Sequence, residues 1–158
     1  MGTLNTANIN LTGNFDGNQP RFRASLDQSR TTVASGYIKW NHSNALNGNY
    51  FTNVEYNVGG GYNSSNTTFT APASGLYYWK HVMATNGSAP ATNYTSCEYY
   101  KNGTRRYGEW QKKDSGYQVW SSSDMIVASA GDVFEFGGEW QGQITFSTSS
   151  YISMYMLG

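Results

Sequence analysis

The chain has 158 residues, with ten Lys plus Arg against ten Asp plus Glu, a length that forms one core and needs no second domain. A formal net charge of zero excludes the basic excess that gives salt-dependent affinity for phosphate backbones, so nucleic acid is not an expected partner. Thirteen Tyr, seven Phe, five Trp and 18 Gly suit pleated surfaces and turns and suit long helices poorly; the predicted class is all-β.

Residues 1–19 carry Leu4, Ile9, Leu11 and Phe15 as isolated apolar positions among Asn, Thr and Gly. They read as an arm outside the core, either a frayed terminus or a tether that docks on a larger assembly. The opening MGTLNTANIN lacks the charged-then-apolar layout of a secretory signal, and no apolar run approaches the roughly 20 residues a spanning helix needs. The expectation is a soluble chain made in a cytoplasm. Seven Asn-x-Ser/Thr triplets, Asn10, Asn66 and Asn102 among them, would mean heavy glycosylation in a eukaryotic secreted protein; without a signal, an Asn-rich bacterial or viral chain is the simpler reading.

FRASLDQ alternates Phe22, Ala24 and Leu26 with Arg23, Ser25 and Asp27, the pattern of a strand with one wet face. Val33 to Trp40 predicts a second strand, Asn41 to Asn49 a loop, and Tyr50 to Tyr56 a third strand. The glycines at 59–61 are followed by no Gly-Lys-Ser/Thr and no helical segment, so they read as a turn and not a phosphate loop. Next come TTFT, a Pro72/Gly75 corner, and GLYYWKHVMA, whose aromatics alternate with polar residues at the period of a half-buried strand.

Thr85 to Thr92 reads as a loop and Tyr94 to Lys101 as a strand in which the single Cys97 is a small buried residue with no disulfide partner. Asn102-Gly103 is the strongest short-range hairpin signal available, with pairing resumed through Thr104 to Trp110. Met125 to Ala128, the turn Ala130-Gly131-Asp132 and Val133 to Phe136 form a further strand–turn–strand unit. Strands at Ile144 to Phe146 and Tyr151 to Leu157 close the chain. Short strands at this spacing, without helical periodicity, predict a sandwich or barrel.

The series Phe51, Asn57, Tyr62, Phe69, Gly75, Tyr77, Trp79 resembles the signature of the globular head domain of complement component one q, in the superfamily of tumour necrosis factor. Pro20–Gln28, Tyr100–Gly108, Ala130–Phe136 and Ser149–Gly158 resemble the family's first strand, middle hairpin, penultimate strand and last strand. The resemblance spans residues 20–158. It implies a single-domain, ten-stranded antiparallel jelly-roll sandwich that trimerises and binds. Trp79 stands where the family prefers Phe, His81 where it prefers Phe or Tyr, and Met154 replaces a small residue common in the last strand.

Catalytic groups are scarce. His42 sits in an Asn-rich loop and His81 on a core-facing position, where a histidine is normally hydrogen-bonded in place. No Gly-x-Ser-x-Gly elbow, His-Glu-x-x-His helix or paired-Cys spacing occurs, so the expectation is not an enzyme, without cofactor or metal. Some related heads bind calcium, and a calcium ion at a trimer axis stays open. Arg105, Arg106, Tyr107 and Trp110 mix charge with aromatics, a combination that cradles sugars or protects a hairpin edge; they form the candidate ligand surface.

In Tyr151 to Leu157, Ile152, Met154 and Met156 line one face while Tyr151, Tyr155 and Leu157 line the other. Two apolar faces on an outer strand imply a second protein surface, and the central strand repeats the pattern. The expected homotrimer interface is therefore Tyr77, Trp79, His81, Tyr151, Met154, Tyr155 and Leu157. The function expected is that of a non-enzymatic trimeric module of a virion, a phage capsid decoration or fibre head held to other virion proteins through residues 1–19. The alternative is a secreted lectin-like module that binds a host-surface glycan or protein.

Overall fold

The computed structural model describes residues 19–31, 36–40, 50–85, 94–106, 110–112, 116–140 and 144–157. These residues contain strands and no helix: β1 (Arg21–Ser25), β2 (Arg30–Thr31), β3 (Gly36–Lys39), β4 (Asn53–Val58), β5 (Tyr62–Asn63), β6 (Thr68–Thr70), β7 (Gly75–Ala84), β8 (Tyr94–Ser96), β9 (Glu98–Lys101), β10 (Thr104–Arg106), β11 (Trp110–Lys112), β12 (Val119–Ala128), β13 (Val133–Trp140), β14 (Thr145–Phe146) and β15 (Tyr151–Met156). Fifteen strands are described where ten were expected, and a single residue, Cys97, separates β8 from β9.

One sheet has five strands in the order β12-β7-β15-β1-β4. The other follows β10-β9-β13-β6-β5, with β3 and β8 also on β13 and β11 on β8; β14 and β2 form a separate pair. Each ladder is antiparallel, and non-consecutive neighbours such as β1 with β15 give the jelly-roll its long connections. Phe22, Tyr77, Trp79, Ile152 and Met154 from the first sheet meet Phe69, Tyr99, Phe134 and Phe136 from the second. Phe22 stacks on Tyr62 at 4.2 Å, and Trp79 meets Tyr99 at 4.9 Å between ring centroids. Offset and tilted ring pairs add to the burial itself, which explains a core built on aromatics in place of Leu and Ile.

The turns follow their sequence signals. Asn102 and Gly103 both take positive φ, 51° and 76°, the geometry that lets a two-residue loop match strand twist. Asn102 also ties this hairpin to the next sheet strand, donating to Asp132 Oδ1 at 2.7 Å and accepting from Val133 N–H at 2.8 Å. A Cβ at Gly61 would stand 2.5 Å from the Thr70 carbonyl oxygen, so the glycine run makes a close-packed turn. The expected strand–turn–strand unit is present as β12, the turn and β13, and the two strands are not partners. The Ser129–Asp132 turn crosses from the five-stranded sheet to the other, because Phe134 and Phe136 enter the core from the opposite layer. Of the strand expected from Val33 to Trp40, β3 covers Gly36–Lys39 and residues 33–35 lie outside the described residues; the one expected from Tyr50 begins at Asn53, with Tyr50 and Phe51 buried ahead of it.

The first and last strands close one end of the sandwich together. Met156 N–H donates to the Pro20 carbonyl at 2.9 Å, and Leu157 N–H to that of Leu76 at 2.7 Å.

His81 is fully buried in a cage of Trp40, Phe51 and Trp79 at 5.8, 6.0 and 6.4 Å. It sits in the core as expected, but neither ring nitrogen has a hydrogen-bond partner among the described residues. Burial holds its pKa down at about 3, the nearby Glu98 backbone offsetting part of this without reaching hydrogen-bond geometry. Between pH 6.5 and 3 the unfolded chain therefore binds a proton that the folded chain refuses, and stability falls as pH falls through that window. The expected loss is about 2 kcal/mol between pH 6.5 and 5, at about 1.4 kcal/mol per unit. Urea midpoints at both pH values for the wild type and His81→Phe check it: the variant should lose this slope, and parallel curves would refute it. Asp132, which Lys101 and Asn102 hold at about 2, titrates alike in both proteins and cancels from the comparison.

Candidate functional site

The outer face of the five-stranded sheet is the surface the sequence leaves apolar. Pairing aligns Met125, Tyr78, Tyr155 and Arg21 in one row across β12, β7, β15 and β1, with Val127 beside Leu76 in the row next to it. Leu157 joins this end through its bond to Leu76. Tyr78 and Tyr155 lie 5.1 Å apart. Exposure reaches 74 % at Val127, 62 % at Met125, 41 % at Leu157 and 37 % at Tyr155. Single exposed apolar residues are ordinary, but a contiguous cluster marks a contact surface. β12 is also a free edge of the sheet among the described residues, and an uncovered ten-residue edge is a liability unless something packs on it.

The next row is polar: Ser123, Lys80, Ser153, Arg23 and Tyr56. Arg23 pairs with Glu55 at 2.9 Å and lies 3.8 Å over the ring of Tyr151. A register shift in β4 next to Ala24 marks a bulge on this edge, which twists the strand away from further pairing.

Of the seven interface residues expected, Tyr151, Tyr155 and Leu157 stand on this outer face. Tyr77, Trp79, His81 and Met154 do not: strand alternation turns them into the chain's own core, where they are fully or almost fully buried and offer nothing to a second copy. Their neighbours of opposite parity carry the surface. Tyr78 was legible as the alternate face of GLYYWKHVMA. Met125 and Val127 were missed, and the signal that finds them is the alternation Val119, Ser121, Ser123, Met125, Val127 against the buried Trp120, Ser122, Ile126 and Ala128.

The candidate ligand surface is also redistributed. Arg105 grips the fully buried Glu98 through both carboxylate oxygens, from Nε and from an Nη, and reaches Glu139 at 3.4 Å. Ser96 donates to the same Glu98 carboxylate and accepts from the Glu139 N–H at 3.0 Å. Arg105 is thus committed to an internal ion pair and is not a free ligand contact. Arg106 is exposed. Tyr107 lies outside the described residues, and of Trp110 only the backbone, paired with Ser96, is described.

Among the described residues no three His, Cys, Asp or Glu side chains gather as a metal site. Cys97 is buried, its thiol pushed up by desolvation and by Glu98, the opposite of a reactive nucleophile.

A family model described as the C1q domain matches residues 34–147. A comparison with curated proteins gives no sequence match. Among solved structures, the globular domain of the zebrafish complement 1qA protein superposes with a TM-score of 0.60 at 10 % identity, covering 89 % of this chain and 98 % of that one. Murine APRIL at pH 8.5 gives 0.59 at 10 %, covering 88 % and 99 %, and at pH 5.0 it gives 0.59 at 11 % with the same coverage. At such identities the likeness is one of fold.

Proposed function

Because the chain belongs to the C1q domain family, we propose that it is a non-enzymatic binding module that works as a homotrimer closed through the outer face and free β12 edge of its five-stranded sheet. Domains of this family are in general non-enzymatic binding modules, and homologues form trimers. The observation that carries the reading for this chain is the contiguous cluster of exposed Met125, Val127, Tyr155 and Leu157 around half-buried Tyr78, apolar where a free monomer would be polar. Light scattering after gel filtration is expected to give three times the 17.5 kDa of one chain. Tyr155→Asp should reduce this to one chain, because a carboxylate buried among apolar partners without a counter-charge is costly. A wild-type mass near one chain at micromolar concentration would overturn the reading.

The finer proposal is a virion role, as a capsid decoration or fibre head whose partners are other virion proteins. Its support is in the sequence: Leu4, Ile9, Leu11 and Phe15 are spaced along residues that precede β1. Protein lacking residues 1–19 should keep its melting temperature and trimer mass yet fail to sediment with the parent particle. Co-sedimentation at the wild-type level would rule out the tether.

A further inference from the structure

A three-membered ring cannot be closed by a patch that meets itself. Each contact in it is heterologous, one surface of a copy against a different surface of the next. The five-stranded sheet offers two such surfaces, the free β12 edge and the face centred on β7 and β15. Each holds one charge that has no ion-pair partner among the described residues. Lys80 lies mid-face between Ser123 and Ser153, half-buried, and makes no hydrogen bond or ion pair among the described residues. Its nearest cross-strand charge in that row is Arg23, already paired with Glu55.

Seven acidic side chains are described, and six of them pair with a cation: Asp27, Glu55, Glu98, Asp132, Glu135 and Glu139. The seventh is Asp124 on the β12 edge, whose only hydrogen bond among the described residues is from the Met125 N–H at 2.7 Å. Within one chain Asp124 and Lys80 cannot meet, since Asp124 shares the parity of the inward Ser122 and Ile126 while Lys80 alternates with the inward Trp79 and His81. Covering the face with a second copy would bury the Lys80 ammonium, which is tolerable only beside a counter-charge.

Resting on the trimer reading above, we propose that Asp124 of one copy docks on Lys80 of the next, so that three identical Asp124–Lys80 pairs set the register of the ring. The competing answer for Asp124 lies in its own chain. Arg106, the other cation without a partner among the described residues, acts on Tyr99 together with Asp124, although no ion pair joins the two.

A charge swap in the full chain decides the matter, read by light scattering and sedimentation with near-ultraviolet circular dichroism as the check on folding. Lys80→Glu and Asp124→Lys should each weaken association at least tenfold, and the double variant should recover a mass of three chains. Both positions are solvent-accessible in the single chain, so the fold should hold. A trimeric wild type that Lys80→Glu leaves intact would overturn the pair while leaving the trimer standing, and a monomeric wild type would overturn the trimer itself. Rescue of Asp124→Lys by Arg106→Asp, in place of Lys80→Glu, would overturn the pair in favour of an internal one.

Discussion

Replacing Arg105 with Leu is expected to cost about 3–5 kcal/mol of stability, the range for breaking one partner out of a buried ion pair. Glu98 has no solvent exposure, and its carboxylate is answered by the Arg105 guanidinium and the Ser96 hydroxyl. Without the guanidinium the buried carboxylate is left with one neutral donor, the Ser96 hydroxyl. Arg105→Lys should recover only part of the loss, since an ammonium cannot reproduce a two-pronged grip on both oxygens. Adding Glu98→Leu to Arg105→Leu should restore most of the stability, because apolar replacement of a whole buried pair is often neutral or better. Urea midpoints for the four proteins test this. A shift below about 1 kcal/mol for Arg105→Leu would mean that the pair behaves as a solvent-screened surface contact.

Trp79→Ala should cost a similar amount, about 3–5 kcal/mol, the usual range for emptying a large aromatic site. Trp79 is buried against Tyr99 and His81 and sits opposite Met154 on the neighbouring strand, so the hole cannot fill from one side chain's rotation. The indole carries a liability of its own: its buried Nε1–H has no acceptor among the described residues, and an unmet donor offsets some of what the ring's burial contributes. Trp79→Phe should therefore lose much less than the alanine variant, since it keeps most of the ring contact and removes the orphaned donor. Thermal unfolding followed by circular dichroism measures both. Equal losses for Phe and Ala would show that ring volume alone sets the stability here.

Much of this fold was legible in the sequence because its strands are half-buried and alternate cleanly. FRASLDQ declares which residues face inward, and Asn102-Gly103 declares its turn. The assignment of residues to the interface was harder, since YISMYM and GLYYWKH are apolar on both faces and alternation alone does not say which side is the core. Burial of Tyr77, Trp79 and Met154 settles that choice. The partnership of Arg105 with Glu98 was hidden for another reason: β9 and β10 place them on adjacent strands, but a lone Glu in a strand gives no sign that it will be fully covered. The crossing of the Ser129–Asp132 turn between layers was equally silent, since a short turn after a strand looks the same in sequence whether it folds back or changes sheet.

The hydrogen bond from Met156 to Pro20 brings the start of β1 and the end of β15 within one backbone contact of each other. In topological terms the span from Pro20 to Met156 is close to a ring, so that a short peptide would bridge these two residues and the span could be reopened at a surface turn such as Asn102-Gly103. The same closeness bears on display. Cargo attached before β1 and cargo attached after β15 would leave from the same pole, keeping the opposite pole clear for whatever the module meets.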